Sequence, residues 1–165
     1  MRRNAAAPGL RGFTLIELLV VLLIMGLFVG LVSAVVRPDD RGRLLVEAER
    51  LAQLLDLAAE ESRLTGRAIA WTNDSPAYRF WRMNEDAGWV EMRDSDLLRG
   101  RTLPPGMRIA GLMVENRPAR DAMRLEFSPW GAAPSFSIEL SLGDARWTVV
   151  ASPTGEIRVL PHGGA

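Results

Sequence analysis

From Leu18 to Val36 the chain runs 19 residues without a charge. As a helix rising 1.5 Å per residue this run spans ~28 Å, close to the hydrocarbon thickness of a bilayer. Leu, Val and Ile dominate it, with Gly26, Gly30 and Ser33 as small interruptions. Glycines at that spacing are tolerated in membrane helices and let another helix approach closely. One acid breaks the pattern: Glu17 stands at the entrance, between Ile16 and Leu18. An ionised group at that edge costs ~1–3 kcal/mol, depending on depth, unless it is paired. Glu17 is either held at headgroup level or kept for a charge partner. The nearest candidate partner is the free amine that cleavage before Phe13 would create.

Arg2, Arg3 and Arg11 precede the apolar run, so the N-terminus is expected to stay cytoplasmic while the C-terminal body crosses the membrane. Removing residues 1 to 12 from the 165 leaves 153, enough for one domain plus an anchor. It also leaves 17 arginines against 20 acids, a side-chain charge of −3. That balance argues against broad phosphate binding, which needs a basic face. There is no cysteine, so a body sent to an oxidising compartment must rely on its core rather than on disulfides.

Gly12-Phe13-Thr14-Leu15-Ile16-Glu17, followed by about twenty apolar residues, resembles the class III signal of type IV pilins and type II secretion pseudopilins. The resemblance implies a cut after Gly12 by a prepilin peptidase. Phe13 then becomes the new, N-methylated terminus, and Glu17 the fifth mature residue, associated with assembly. Two other readings of the same stretch are an uncleaved anchor and an ordinary secretory signal. The second has a small-residue site at Val32-Ser33-Ala34 that would start the mature chain at Val35.

Arg37-Pro38-Asp39-Asp40 closes the run. Proline disfavours helix in the residue before it, so a kink or break is expected near Arg37. Pro38 and the two acids also suit the first turn of a new helix. From about Arg43 to Leu64 an amphipathic helix is expected. Leu44, Ala48, Leu51, Leu55, Ala58 and Ser62 form its stripe, widened by Leu45 and Leu54. Glu47, Arg50, Glu60 and Arg63 are expected to face away, and Gly66 to stop the helix.

Beyond Gly66 the period changes to two and turn residues multiply. Strands are expected at residues 68–72, 78–83, 89–92, 107–114, 123–127, 136–142, 146–151 and 157–160, which implies an antiparallel sandwich. Phe127-Ser128-Pro129-Trp130-Gly131 precedes a hairpin that ends in Gly155-Glu156-Ile157-Arg158-Val159. Together with the leader and the domain size, this resembles the H-type minor pseudopilins of type II secretion and the related FimT-type minor pilins. The resemblance implies an α+β, pilin-like fold: a long N-terminal helix, membrane-spanning in its first half, packed through its second half on two antiparallel sheets. The expected parts are a leader (1–12), a transmembrane and assembly helix (13–36), an amphipathic helix (37–64) and a periplasmic β-domain (65–165). The implied partners are the major G-type and minor I-, J- and K-type pseudopilins, the prepilin peptidase and the inner-membrane assembly platform.

No catalytic constellation emerges. His162 is the only histidine and lies in the tail. Phosphate-loop, nucleophile-elbow and zinc spacings are missing. Glu91, Asp94 and Asp96 read as a solvated loop rather than a calcium site. No cofactor, metal or enzymatic activity is expected. Trp71, Trp81, Trp89 and Trp147 fall on expected strands, whereas Trp130 falls in a turn and is a contact candidate. A DNA-uptake minor pilin would need a basic patch, and Arg117, Arg120 and Arg124 lie close in sequence, diluted by Asp121 and Glu126.

Overall fold

The computed structural model describes residues 14–35, 39–86, 88–119, 124–131 and 134–162, without the side chains of residues 29 and 31–35. The chain divides into two compact units, one ending at Pro38 and the other beginning at Asp39.

The first unit contains helix α1, Leu15–Val35. Its apolar residues surround the helix instead of lining one face, and those described, from Leu15 to Phe28, are exposed. A helix apolar all round belongs in a core or a membrane. Taken over the described residues, no helix is long and apolar enough to cross a membrane. The full sequence of α1 nevertheless holds one charge, Glu17, in 21 residues. The spanning reading rests on that sequence.

The second unit opens with α2, Asp40–Thr65. Its first helical residue lies two beyond Pro38, because Asp39 is the N-cap and not a first-turn residue. The Asp39 carboxylate accepts a hydrogen bond from the Gly42 N–H at 2.9 Å. Any side chain at Gly42 would collide with that carboxylate. Arg37, where a break was expected, lies outside the described residues. Gly66 ends α2 in the left-handed conformation, at φ 66°. The expected stripe from Leu44 to Ser62 is buried throughout.

Ten strands follow: β1 Ile69–Asp74, β2 Ala77–Met83, β3 Trp89–Glu91, β4 Arg101–Thr102, β5 Met107–Val114, β6 Arg117–Pro118, β7 Arg124–Phe127, β8 Phe136–Leu142, β9 Ala145–Ala151 and β10 Ile157–Pro161. All eight expected strands are present; β4 and β6 are additional. Every pairing is antiparallel. The first sheet has the order β3-β2-β1-β7, with β4 also on β2; the second runs β10-β9-β8-β5-β6. β3 takes residues 81–83 of β2 and β4 takes residues 77–78, so residues 92–100 leave the sheet between them. Met92 and Leu98 anchor that excursion in the core.

α2 packs on β8, β9 and β10 of one sheet and on β1 and β7 of the other. Its leucine stripe thereby closes a core containing Trp71, Tyr78 and Phe80 from the first sheet and Ile138, Leu140 and Val149 from the second. Phe127 and Phe136 join the sheets edge to face, with ring centroids 6.3 Å apart. Buried Ser62 donates to the Phe127 carbonyl at 3.0 Å, fixing the end of β7 to α2.

Candidate assembly site

Gly12 and Phe13, the expected cleavage pair, lie outside the described residues. Glu17 sits in the first turn of α1, exposed. Thr14 starts that turn: its hydroxyl oxygen and its carbonyl both accept from the Glu17 N–H, at 3.3 Å and 3.0 Å. Thr14-Leu15-Ile16-Glu17 therefore has the Thr-x-x-Glu spacing of a capping box. The signal was legible in the sequence, and it gives Glu17 a second role. A carboxylate three residues into a helix complements the positive end of the helix dipole. No ion pair to Glu17 forms among the described residues, which begin at Thr14.

The body carries its own electrostatic feature, which sequence reasoning placed wrongly. Glu47 was expected to face away, yet it is only 4% exposed. It lies three residues after Leu44 and four before Leu51, so the helical period brings it onto the edge of the buried stripe. Arg50 donates to it at 3.0 Å, and the Arg101 Nε stands 4.0 Å away on β4. Tyr78 lies close on β2, its hydroxyl buried without a hydrogen bond. Burial first, and the Glu47 carboxylate second, push the Tyr78 hydroxyl up to about 12.

The remaining candidates separate cleanly. Glu91 is held by Arg93 at 2.7 Å and lies 3.5 Å from Arg79, while Asp94 lies 3.9 Å from Arg82. Among the described residues no three acidic, His or Cys groups gather as a metal site. Arg124 spreads over the Trp89 ring at 4.1 Å, and its Nε lies 2.8 Å from Glu126. That neutralises one of the three arginines a nucleic-acid patch would require; Arg120 and Asp121 lie outside the described residues. Trp71 is fully buried, and Trp81, Trp89 and Trp147 are half-buried. Trp130 is exposed.

Known proteins match both parts of this arrangement. The family model for type II transport protein GspH covers residues 47–155, from the buried edge of α2 to the last hairpin. The chain belongs to this family. The model for the prokaryotic N-terminal methylation motif covers residues 10–33, spanning the expected cut and most of α1. The type II secretion system protein H of Pseudomonas aeruginosa is 38% identical over 91 residues, 53% of each chain. The chain thus spans about half the length of that curated relative. Two structures of the minor pseudopilin EpsH from the Type 2 Secretion System of Vibrio cholerae share its fold. One aligns with a TM-score of 0.58 at 24% identity, over 74% of this chain and 99% of EpsH. The other gives 0.61 at 20% identity, over 76% and 98%. The GspH-family assignment expected from the leader and the Phe-x-Pro-x-Gly turn is borne out, as is the α+β pilin-like fold.

Proposed function

We propose that the chain is a minor pseudopilin that assembles through α1 into a short periplasmic pseudopilus driving protein export across the outer membrane. One observation carries the reading: a methylation-motif match at 10–33 and a GspH match at 47–155 follow one another in a single chain. In this reading residues 1–12 are a leader removed after Gly12, and Phe13 is then methylated. Residues 13–36 anchor the protein in the inner membrane, residues 37–64 form the amphipathic helix, and residues 65–165 form the periplasmic domain. The role is structural. Assembly is driven by charge and packing. A lone carboxylate in hydrocarbon is costly, and so is a lone terminal ammonium. Bringing Glu17 of one subunit to the Phe13 amine of its neighbour neutralises both where the dielectric is low. The neighbours proposed are the major G-type and minor I-, J- and K-type pseudopilins, delivered through the prepilin peptidase and the inner-membrane platform.

The test is recovery of those pseudopilins with the full chain from detergent-extracted membranes of a cell expressing the whole secretion system. Co-recovery of at least one sibling is the expected result. Recovery of the chain alone, with export unaffected by its deletion, would contradict the proposal.

A further inference from the structure

β3 and β4 both pair with β2 and leave a gap between them, and the cleft at that gap is lined by arginines. It encloses about 370 Å³ among Arg79, Arg93, Arg99 and Arg101, with Gly100 on its wall. A Cβ on Gly100 would come within 3.2 Å of the Arg79 side chain, so a larger residue there would crowd the cleft. Two of the four guanidinium groups are engaged: Arg79 bridges Asp74 and Glu91, and Arg93 holds Glu91. The other two have capacity to spare. Arg99 has no carboxylate partner among the described residues. Arg101 is exposed, with the Glu47 carboxylate 4.0 Å from its Nε. Counting Arg50, which holds Glu47, five arginines stand here against the three carboxylates Glu47, Asp74 and Glu91, an excess of two positive charges.

α2 carries the opposite charge on its outward face. Glu49, Asp56 and Glu60 are exposed there, and exposed Gln53 stands between the first two. At ~100° per residue the three acids lie within ~40° of one another, and ~140–180° around the helix from Glu47. Glu47 is the residue that faces β4. The acidic row is therefore turned away from the cleft, and the acids of one molecule do not reach its own arginines. Among the described residues Glu49 and Asp56 have no ion pair. Glu60 meets Arg63 at 3.4 Å, an exposed pair that holds weakly and exchanges readily. The spacings also agree. Asp56 and Glu60 are ~6 Å apart along the helix, and Arg99 and Arg101 at most ~7 Å apart along the chain.

We propose that the arginine cleft receives the acidic row of α2 from a second copy of this chain, with Asp56 and Glu60 meeting Arg99 and Arg101. The occupant is a second copy because the matching surface is on the chain itself: opposite in charge, alike in spacing and turned the other way. Two different faces that meet head to tail form a heterologous contact, which repeats into a row instead of closing on a two-fold axis. Partly solvated ion pairs hold little on their own. They suffice between copies anchored side by side through α1, where the effective concentration is high. The inference rests on the proposed function for that anchor alone, and adds to it a defined contact between subunits.

The chain has no cysteine, so introduced cysteines report the contact without background. The experiment is oxidative crosslinking of full-length chains in membranes of cells that express the whole secretion system. One chain carries Gln53→Cys in the acidic row; the other, differently tagged, carries Thr102→Cys on the wall of the cleft. The expected result is a disulfide adduct between the two tagged chains, and none between two Gln53→Cys chains or two Thr102→Cys chains. Arg99→Glu, added to the cleft chain, is expected to reduce the adduct about 10-fold by setting like charges across the contact. Arg99 has no ion pair in its own body, so this substitution leaves the fold intact. Asp56→Arg in the other chain is expected to restore the adduct. Folded, membrane-embedded chains without a mixed adduct would overturn the proposal. So would adducts equally abundant between identical chains, or an adduct indifferent to Arg99→Glu. The proposed function survives each of these results where sibling pseudopilins still co-purify; the mixed adduct in a chain that recovers no sibling would contradict that function and leave the contact standing.

Discussion

Glu17→Ala is expected to be processed and methylated like the wild type yet to recover sibling pseudopilins at least ~10-fold less well. The substitution removes two things at once: the charge available to a neighbour's terminal amine, and the carboxylate that complements the first turn of α1. The second effect is small, ~0.3–1 kcal/mol where exposed. Losing one partner of a desolvated charge pair costs several kcal/mol, because the other charge is left unpaired in low dielectric. Glu17→Gln separates the two. The amide keeps the shape and the hydrogen-bonding reach of a capping-box residue but carries no charge. The charge-pairing account predicts that Gln fails as badly as Ala. Wild-type recovery with Gln would show that the residue serves the helix and not the neighbour.

Trp71→Ala is expected to cost ~3–5 kcal/mol, a large share of the ~5–15 kcal/mol that holds a domain together. Trp71 is fully buried. It lies between Phe80 on β2 and Leu125 on β7 and packs against Tyr78 with ring centroids 6.3 Å apart. Its loss opens a cavity where the first sheet meets α2. Thermal unfolding of the mature chain in detergent, followed by tryptophan-independent far-UV circular dichroism, should show the midpoint falling by more than ~10 °C. Trp130→Ser is the internal contrast: an exposed ring makes no core contact, so its loss should stay within ~0.5 kcal/mol. A Trp71→Ala chain that melts with the wild type would contradict the core described here.

The contrast between the two tryptophans shows what the sequence exposed. Period-two alternation placed Trp71 on a strand, and the Ser-Pro-Trp-Gly turn placed Trp130 outside one; burial followed from that difference. The α2 stripe was legible because six residues recur at helical spacing, and Gly66 marked its end. Glu47 was not legible. Its burial depends on Arg101, 54 positions away, arriving on a two-residue strand beside it. No local pattern signals a strand as short as β4 or β6, since each exists only because β2 or β5 offers free backbone groups at that point. The assembly site was legible too. Gly12, Phe13 and Glu17 follow from a linear motif, and so does the Thr14 cap.

The central claim is that this chain is cut and enters a filament through its N-terminal helix. The most direct measurement is the N-terminal mass of the membrane-extracted protein, with and without a co-expressed prepilin peptidase. The account predicts a peptidase-dependent start at methylated Phe13, 12 residues shorter than the full 165. An intact Met1 in both samples, or a start at Val35 whether or not the peptidase is present, would contradict it.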